Sequence, residues 1–374
     1  MSEKLTGPVL LIEGGISDSN LRYACGFTAP DATVYLKKGR RSFLVVSMLE
    51  AGRAHRQARV NEVVTPQSLS VSRRHRRDIH QWALALLKRE HIRKVSVSAE
   101  FPVAAADLLR RNGVRVKVTE GPLFPEREIK TKKEIEHIRK TQKAAAVAMR
   151  HAMNRIQEST ISSGGYLKIG TRRLTSEMVR REIEKTLCDH DCAAFDIIVA
   201  GGKQSADPHE RGYGPLKSGE PIVLDIFPRH RISGYWGDMT RTVVRGRASR
   251  DLKNMFKAVK TAQQKALSWI KPGQSTDWIY EQVLSFFREH GFPTQIRRKI
   301  PEGFIHGVGH GVGLDIHEAP SISLASSQIL AGQVITIEPG LYYPHLGGVR
   351  IEDTVVVTSS GWRYLATCPK TFEL

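Results

Sequence analysis

A chain of 374 residues, 40% hydrophobic and 25% charged, is too long for one ordinary core and has the balance of a globular protein with two domains. Its first apolar run, "PVLLI", is too short for a signal-peptide core or a membrane span, and no later run nears the roughly 20 apolar residues of a span, so a cytoplasmic protein without a membrane partner is expected. The net charge of +19 is regional: residues 1–150 hold 29 Lys or Arg against 15 Asp or Glu, and little excess remains for the rest.

From residue 8 to about 120, short β-rich runs ("TVYLKK", "SFLVVS", "KVSVSA", "VRVKV") alternate with helical patterns at 78–90 and 101–112, which predicts an α/β domain over residues 1–125. Its densest charge, "SRRHRRDIH" at 72–80, has no interleaved aromatics and precedes a helical pattern, so it reads as a solvated basic face rather than a nucleic-acid site. "EGPLFPERE" then breaks periodicity with Pro122 and Pro125 and marks a hinge. Beyond it Ile135, Ile138, Ala145, Met149, Met153 and Ile156 line one face of a long helix. Residues 126–374 continue as a helix at 173–188, strands, helices at 250–269 and 275–289, and strands again, a doubled order. Cys188 and Cys192 fall where a helical pattern ends, with no matching pair elsewhere, and read as reduced structural thiols.

The strands of the second part carry the chemistry. "PIVLDIFPRHRISGYWGDMTRTVV" reads as a hairpin which, with its turn centred on Arg231 and Ile232, sets Asp225 opposite Asp238. In "VITIEPGLYYPHLGGVRIEDTVVV", Glu338 and Glu352 lie symmetrically about His345. Like charges so close are destabilising unless a shared cation neutralises them, and burying each costs several kcal/mol without a partner. Between the hairpins, "FIHGVGHGVGLDIHEAP" places His306 and His310 four residues apart with glycine at 307, 309, 311 and 313. Each glycine costs about 1 kcal/mol in a helix, which excludes a helical zinc-binding His pair. An extended strand or loop fits instead, with both histidines on one face and the glycines admitting a close neighbour on the other.

These segments resemble the M24 metallopeptidases of the pita-bread fold, specifically the Xaa-Pro aminopeptidase and prolidase branch. The likeness rests on "GYWGDMTRT", "HGVGHGVGLDIHEAP", "ITIEPGLY" and "GVRIEDTVVV" in family order, with "DPHERG" upstream. It extends to "SNLRYACGFTAPDATVYL", "LVVSMLEAGRA" and "REIKTKKEIEHIRKTQKAA", which look like that branch's N-terminal domain and linker helix. The implied fold is a creatinase-N-like α/β domain followed by an α+β pita-bread catalytic domain with pseudo-twofold halves.

The resemblance makes Asp225, Asp238, His310, Glu338 and Glu352 the ligands of two divalent metal ions, with Asp238 and Glu352 bridging. An oxygen-rich set with one imidazole suits Mn²⁺ and tolerates Zn²⁺, Co²⁺ or Fe²⁺. The implied activity is an exopeptidase that cleaves the Xaa-Pro bond of short proline-containing peptides with a metal-bridging hydroxide, as aminopeptidase or dipeptidase, and the implied assembly is a homodimer. Glu338 would move the water proton, His209 and His317 would contact the substrate carbonyl and protonate the leaving nitrogen, and His306 would belong to the proline pocket. Arg350 and Thr240 match positions that orient the carboxylates, and Arg350 also counts among the substrate-binding set. Phe227 departs from the family's usual glycine, and the Asp225–Asp238 segment is two residues longer than usual, which bears on substrate preference. A creatinase-like hydrolase without metals and a non-catalytic binding protein on the same scaffold are the competing expectations. Both typically lack ligands that this chain retains.

Overall fold

The computed structural model describes residues 7–14, 18–297 and 299–374, which fall into two compact units, Met1–Arg127 and Glu128–Leu374. Among the described residues no helix is long and apolar enough to cross a membrane.

The first unit is built on a six-stranded mixed sheet in the order Glu62–Val64, Arg41–Val45, Thr33–Lys38, Val9–Glu13, Lys94–Val97, Arg115–Val118. Val9–Glu13 reads as a continuous apolar run because both its faces are covered: Leu10 and Ile12 enter one core, Val9 and Leu11 another. The expected helices appear at Ile79–Arg89, which buries Trp82, Ala83, Leu86 and Leu87, and at Val103–Arg111. Helix Met48–Gln57 escapes the periodicity because only Ala54 on it is buried. Ser47 at its N-cap, followed three residues on by Glu50, is the sequence signal for it.

The basic stretch forms one 3₁₀ turn, Arg73–His75, and ends where Asp78 caps the next helix by accepting the amides of His80 and Gln81. Arg73, Arg74, Arg76 and Arg77 are all exposed. Neutralising the four together should leave turnover of a neutral peptide substrate unchanged, since exposed charges are screened within about 10 Å at 0.1 M salt. Salt-sensitive RNA or DNA binding that the substitutions abolish would contradict this.

The second unit has two halves, each a helix pair packed on strands. In the first, helices Lys132–Gln157 and Ser176–Asp189 cover the antiparallel sheet Ile198–Gly201, Ile222–Ile226, Met239–Val243. In the second, Arg250–Trp269 and Thr276–Glu289 cover a five-stranded sheet in the order Glu318–Ile322, Gly309–Gly311, Val334–Ile337, Asp353–Val357, Trp362–Tyr364. This is the pita-bread arrangement. The long helix starts at a capping box in which Thr131 and Glu134 bond each other's backbone amides. The halves are stitched by Glu352 N–H donating to the Thr240 carbonyl, and by the Thr242 hydroxyl, which donates to the Arg350 carbonyl and accepts from the Arg350 amide.

One register differs from expectation. Asp225 lies opposite Thr240, not Asp238, and Arg229 bridges Trp236, so the turn centres one residue later than the sequence suggested. Gly234 in the left-handed region (φ 77°) and its N–H bond to the His230 carbonyl fix that turn. Asp225 and Asp238 are therefore diagonal neighbours on one face, still within reach of a common ligand. The second hairpin keeps the expected symmetry: Ile337 pairs with Asp353 and Gly340 with Arg350, which sets Glu338 against Glu352.

Candidate metal centre and cleft

The glycine-rich strand explains how the cluster closes. A side chain at Gly309 would run into the Thr336 carbonyl, and one at Gly311 into the Ala319 carbonyl, so glycine lets strand Gly309–Gly311 seat tightly between its two neighbours. His310 is thereby carried into the sheet's centre, where its backbone N–H donates to the Thr336 hydroxyl at 3.0 Å. Its Nδ1 lies 3.0 Å from the Gly311 carbonyl. That bond needs a proton on Nδ1 and turns Nε2 toward Glu338 Oε1 at 3.2 Å and Asp238 Oδ2 at 3.6 Å.

The acidic residues are held from behind, Asp238 and Glu338 by their backbones, Glu352 and Asp225 at a carboxylate oxygen. Gln142 on the long helix brackets Asp238, accepting its amide with Oε1 and donating Nε2 to its carbonyl, both at 2.6 Å. The Thr240 hydroxyl donates to Glu352 Oε2 at 2.7 Å, and Arg350 Nη2 to Asp225 Oδ2 at 2.7 Å. Glu338 is fixed by its amide, which donates to the Val308 carbonyl at 2.7 Å. These partners leave Asp225 Oδ1 and Glu352 Oε1 buried with no hydrogen bond among the described residues. Ligand atoms of Asp238, His310 and Glu352 lie within 4.8 Å of one another.

The electrostatics call for a cation. Burial, then the neighbouring Asp225, pushes the Asp238 carboxyl well above its ordinary range. Burial and the Asp238 charge do the same to Glu352. Burial opposes the charge on Glu338 as well, but His310 outweighs it and holds that carboxyl at about 2. Burial would lower the His310 pKa, yet the Glu338 bond and charge lift it to about 9. Protons thus stand in where positive charge is short. Two bare oxygens, a carboxylate-rich donor set and one presented imidazole nitrogen fit divalent metal ions.

The nine residues expected to hold metal, handle protons or touch substrate line one cleft of about 830 Å³, while Thr240 stands behind it. His209 and His317 are exposed on its walls, and the His317 ring meets His310 edge-on at 4.4 Å between centroids. Burial, then the charge of His310, lowers the His317 pKa. His306 Nδ1 lies 2.8 Å from the Gly307 carbonyl and its Nε2 2.9 Å from the Tyr342 hydroxyl. Burial lowers its pKa, which favours the neutral ring. Arg350 is 4% exposed, with Nη1 donating to the Tyr342 hydroxyl at 2.6 Å and Nε to the Thr240 hydroxyl at 3.3 Å. Its guanidinium therefore fixes Asp225 and Tyr342 together. Phe227 also lines the cleft.

Three partners were not picked out from the sequence. Gln142 continues the buried stripe of the long helix four residues after Ile138, and a polar side chain on that stripe is the signal for it. Tyr342 is fully buried, and a buried tyrosine hydroxyl needs a bonding partner. Arg241, also buried, donates to the Glu352 carbonyl and to Asp353 Oδ1, backing the Glu352 strand.

Residues 136–359 match the profile of Metallopeptidase family M24, and residues 9–122 that of the Creatinase/Prolidase N-terminal domain. The chain is 36% identical over 241 residues to a protein of Pyrococcus furiosus named Xaa-Pro dipeptidase, across 64% of this chain and 63% of that one. It is 32% identical over 280 residues to the Xaa-Pro dipeptidase of Pyrococcus horikoshii, across 74% of each. The solved Xaa-Pro dipeptidase from Bacillus anthracis superposes with a TM-score of 0.82 at 27% identity, covering 98% of this chain and 95% of that one.

Proposed function

The chain belongs to Metallopeptidase family M24, and from that membership we propose that it is a two-metal exopeptidase cleaving the Xaa-Pro bond of short peptides. The observation that carries this is the buried set Asp225, Asp238, His310, Glu338 and Glu352, two of whose oxygens lack a hydrogen bond among the described residues, lining a cleft of about 830 Å³. Those five would hold two divalent ions, and manganese suits so oxygen-rich a set. Bound there, the ions would lower the pKa of a water and polarise the scissile carbonyl.

The chain's own groups do the rest. Glu338 takes the proton of the attacking water. His209 and His317 stand on the cleft walls to hold the carbonyl oxygen and to bring a proton to the leaving nitrogen. A prolyl nitrogen, like any amide leaving group, must gain a proton as the C–N bond breaks, and these histidines stand where they can deliver it. His306, fixed by Tyr342, and the apolar ring of Phe227 offer a surface for the pyrrolidine. The enzyme would act as a cytoplasmic homodimer, and the names of its relatives favour dipeptides over longer peptides as substrates.

The test is hydrolysis of Xaa-Pro dipeptides beside Xaa-Pro-Yaa peptides by metal-loaded protein. Activity should vanish with a chelator and return with Mn²⁺ or a neighbouring divalent ion. Full activity of metal-stripped protein would overturn the proposal, and the preferred peptide length decides between dipeptidase and aminopeptidase.

A further inference from the structure

We propose that Lys130 and Glu318 form a positioning couple for His317, an inference that rests on the proton-handling role given to His317 above. Lys130 stands just before the cap of the long helix, and its Nζ lies 3.0 Å from Glu318 Oε2, the two side chains being 1% and 8% exposed. A lysine buried so deeply is kept there by its pairing. The same Nζ reaches the Glu128 carbonyl at 3.4 Å, and the Lys130 backbone N–H donates to the Gly332 carbonyl at 2.9 Å. Gly332 precedes strand Val334–Ile337, which delivers Glu338. Lys130 thus joins the turn leading to Glu338 to the strand that starts beside His317.

Glu318 follows His317 directly and opens strand Glu318–Ile322. Its Oε1 accepts the Asp315 amide at 3.0 Å, so one carboxylate closes the turn under His317 and ties it to Lys130. The surroundings leave no slack, because a side chain at Gly313 would meet the Glu318 carboxylate. Trp236 holds the other end of the turn: its amide donates to the Gly313 carbonyl and its indole Nε1 to the Leu314 carbonyl, each at 2.9 Å. The His317 ring is exposed and meets His310 only edge-on, so its place in the cleft is set by the backbone beneath it. Lys130 itself is not among the cleft-lining residues. It acts through Glu318.

The decisive variant is the double substitution Lys130→Met with Glu318→Leu, which leaves no lone buried charge and so preserves folding. Metal content should stay near wild type, while kcat falls roughly 10- to 100-fold, as when a supporting partner shifts a reacting group; Glu318 itself lines the cleft, so Lys130→Met is the variant whose KM should stay near wild type. Lys130→Met alone should lower kcat at least as much as the double variant and also lower the melting temperature, because it leaves the Glu318 carboxylate buried without its cation. Amide hydrogen exchange of segment 313–318 in metal-loaded protein should quicken in either variant. Wild-type kcat, or loss of metal alongside the lost rate, would overturn the couple, and so would unchanged exchange. An inactive wild-type protein would sink the proposed function instead, while the exchange measurement would still decide the couple.

Discussion

Asp238→Asn should empty the metal centre and abolish hydrolysis. The substitution keeps the shape of the side chain and the backbone bonds to Gln142, but it removes the negative charge shared between the two proposed metal positions. Replacing a group that merely supports a ligand typically costs about 10- to 100-fold in metal affinity, so loss of a bridging ligand should exceed 100-fold. In metal-stripped protein the same change should leave the unfolding temperature unchanged or higher, because it relieves a carboxyl that burial and Asp225 already disfavour in its charged form. Metal stoichiometry, rate and melting temperature together check this. A fully metallated, fully active Asp238→Asn protein would remove the basis of the two-metal site.

His209→Ala should do the reverse: metals retained, kcat lower by roughly 10²- to 10⁴-fold, the range for a positioned acid or base. The residue is exposed, and its backbone N–H donates to Asp207 Oδ1, a bond that survives truncation to alanine. Stability should therefore move by no more than about 0.5 kcal/mol. A histidine with only a structural role would show the opposite pattern, with the rate hardly changed and the fold weakened. Loss of metal from this variant would show that His209 had been given the wrong task.

What the sequence made legible was decided by periodicity and by the cost of charge. Ile79–Arg89, Lys132–Gln157, Arg250–Trp269 and Thr276–Glu289 each bury an apolar stripe, so their spacing announces them. Met48–Gln57 buries one alanine, so no apolar stripe announces it. The opposition of Glu338 and Glu352 is legible from symmetry, because the register of the second hairpin runs through unshifted. Asp225 and Asp238 were paired wrongly because the left-handed glycine at 234 moves the turn by one residue, which an alternating pattern does not register. The supporting groups were harder still. Gln142, Arg241 and Lys130 act on partners 96 to 188 positions away along the chain, and local patterns hold no record of such pairings.

The same distances govern how the protein comes to be assembled. Thr240 reaches Glu352 across 112 positions and Arg350 reaches Asp225 across 125, so no contiguous piece of chain gathers the carboxylates. The cage exists only after both halves have met, and pairings of such range form slowly because a long loop must close first. A metal ion then finds a finished receptacle rather than a nucleus to organise. Its binding energy should accordingly appear as slower unfolding, with the rate of refolding left where the bare chain sets it.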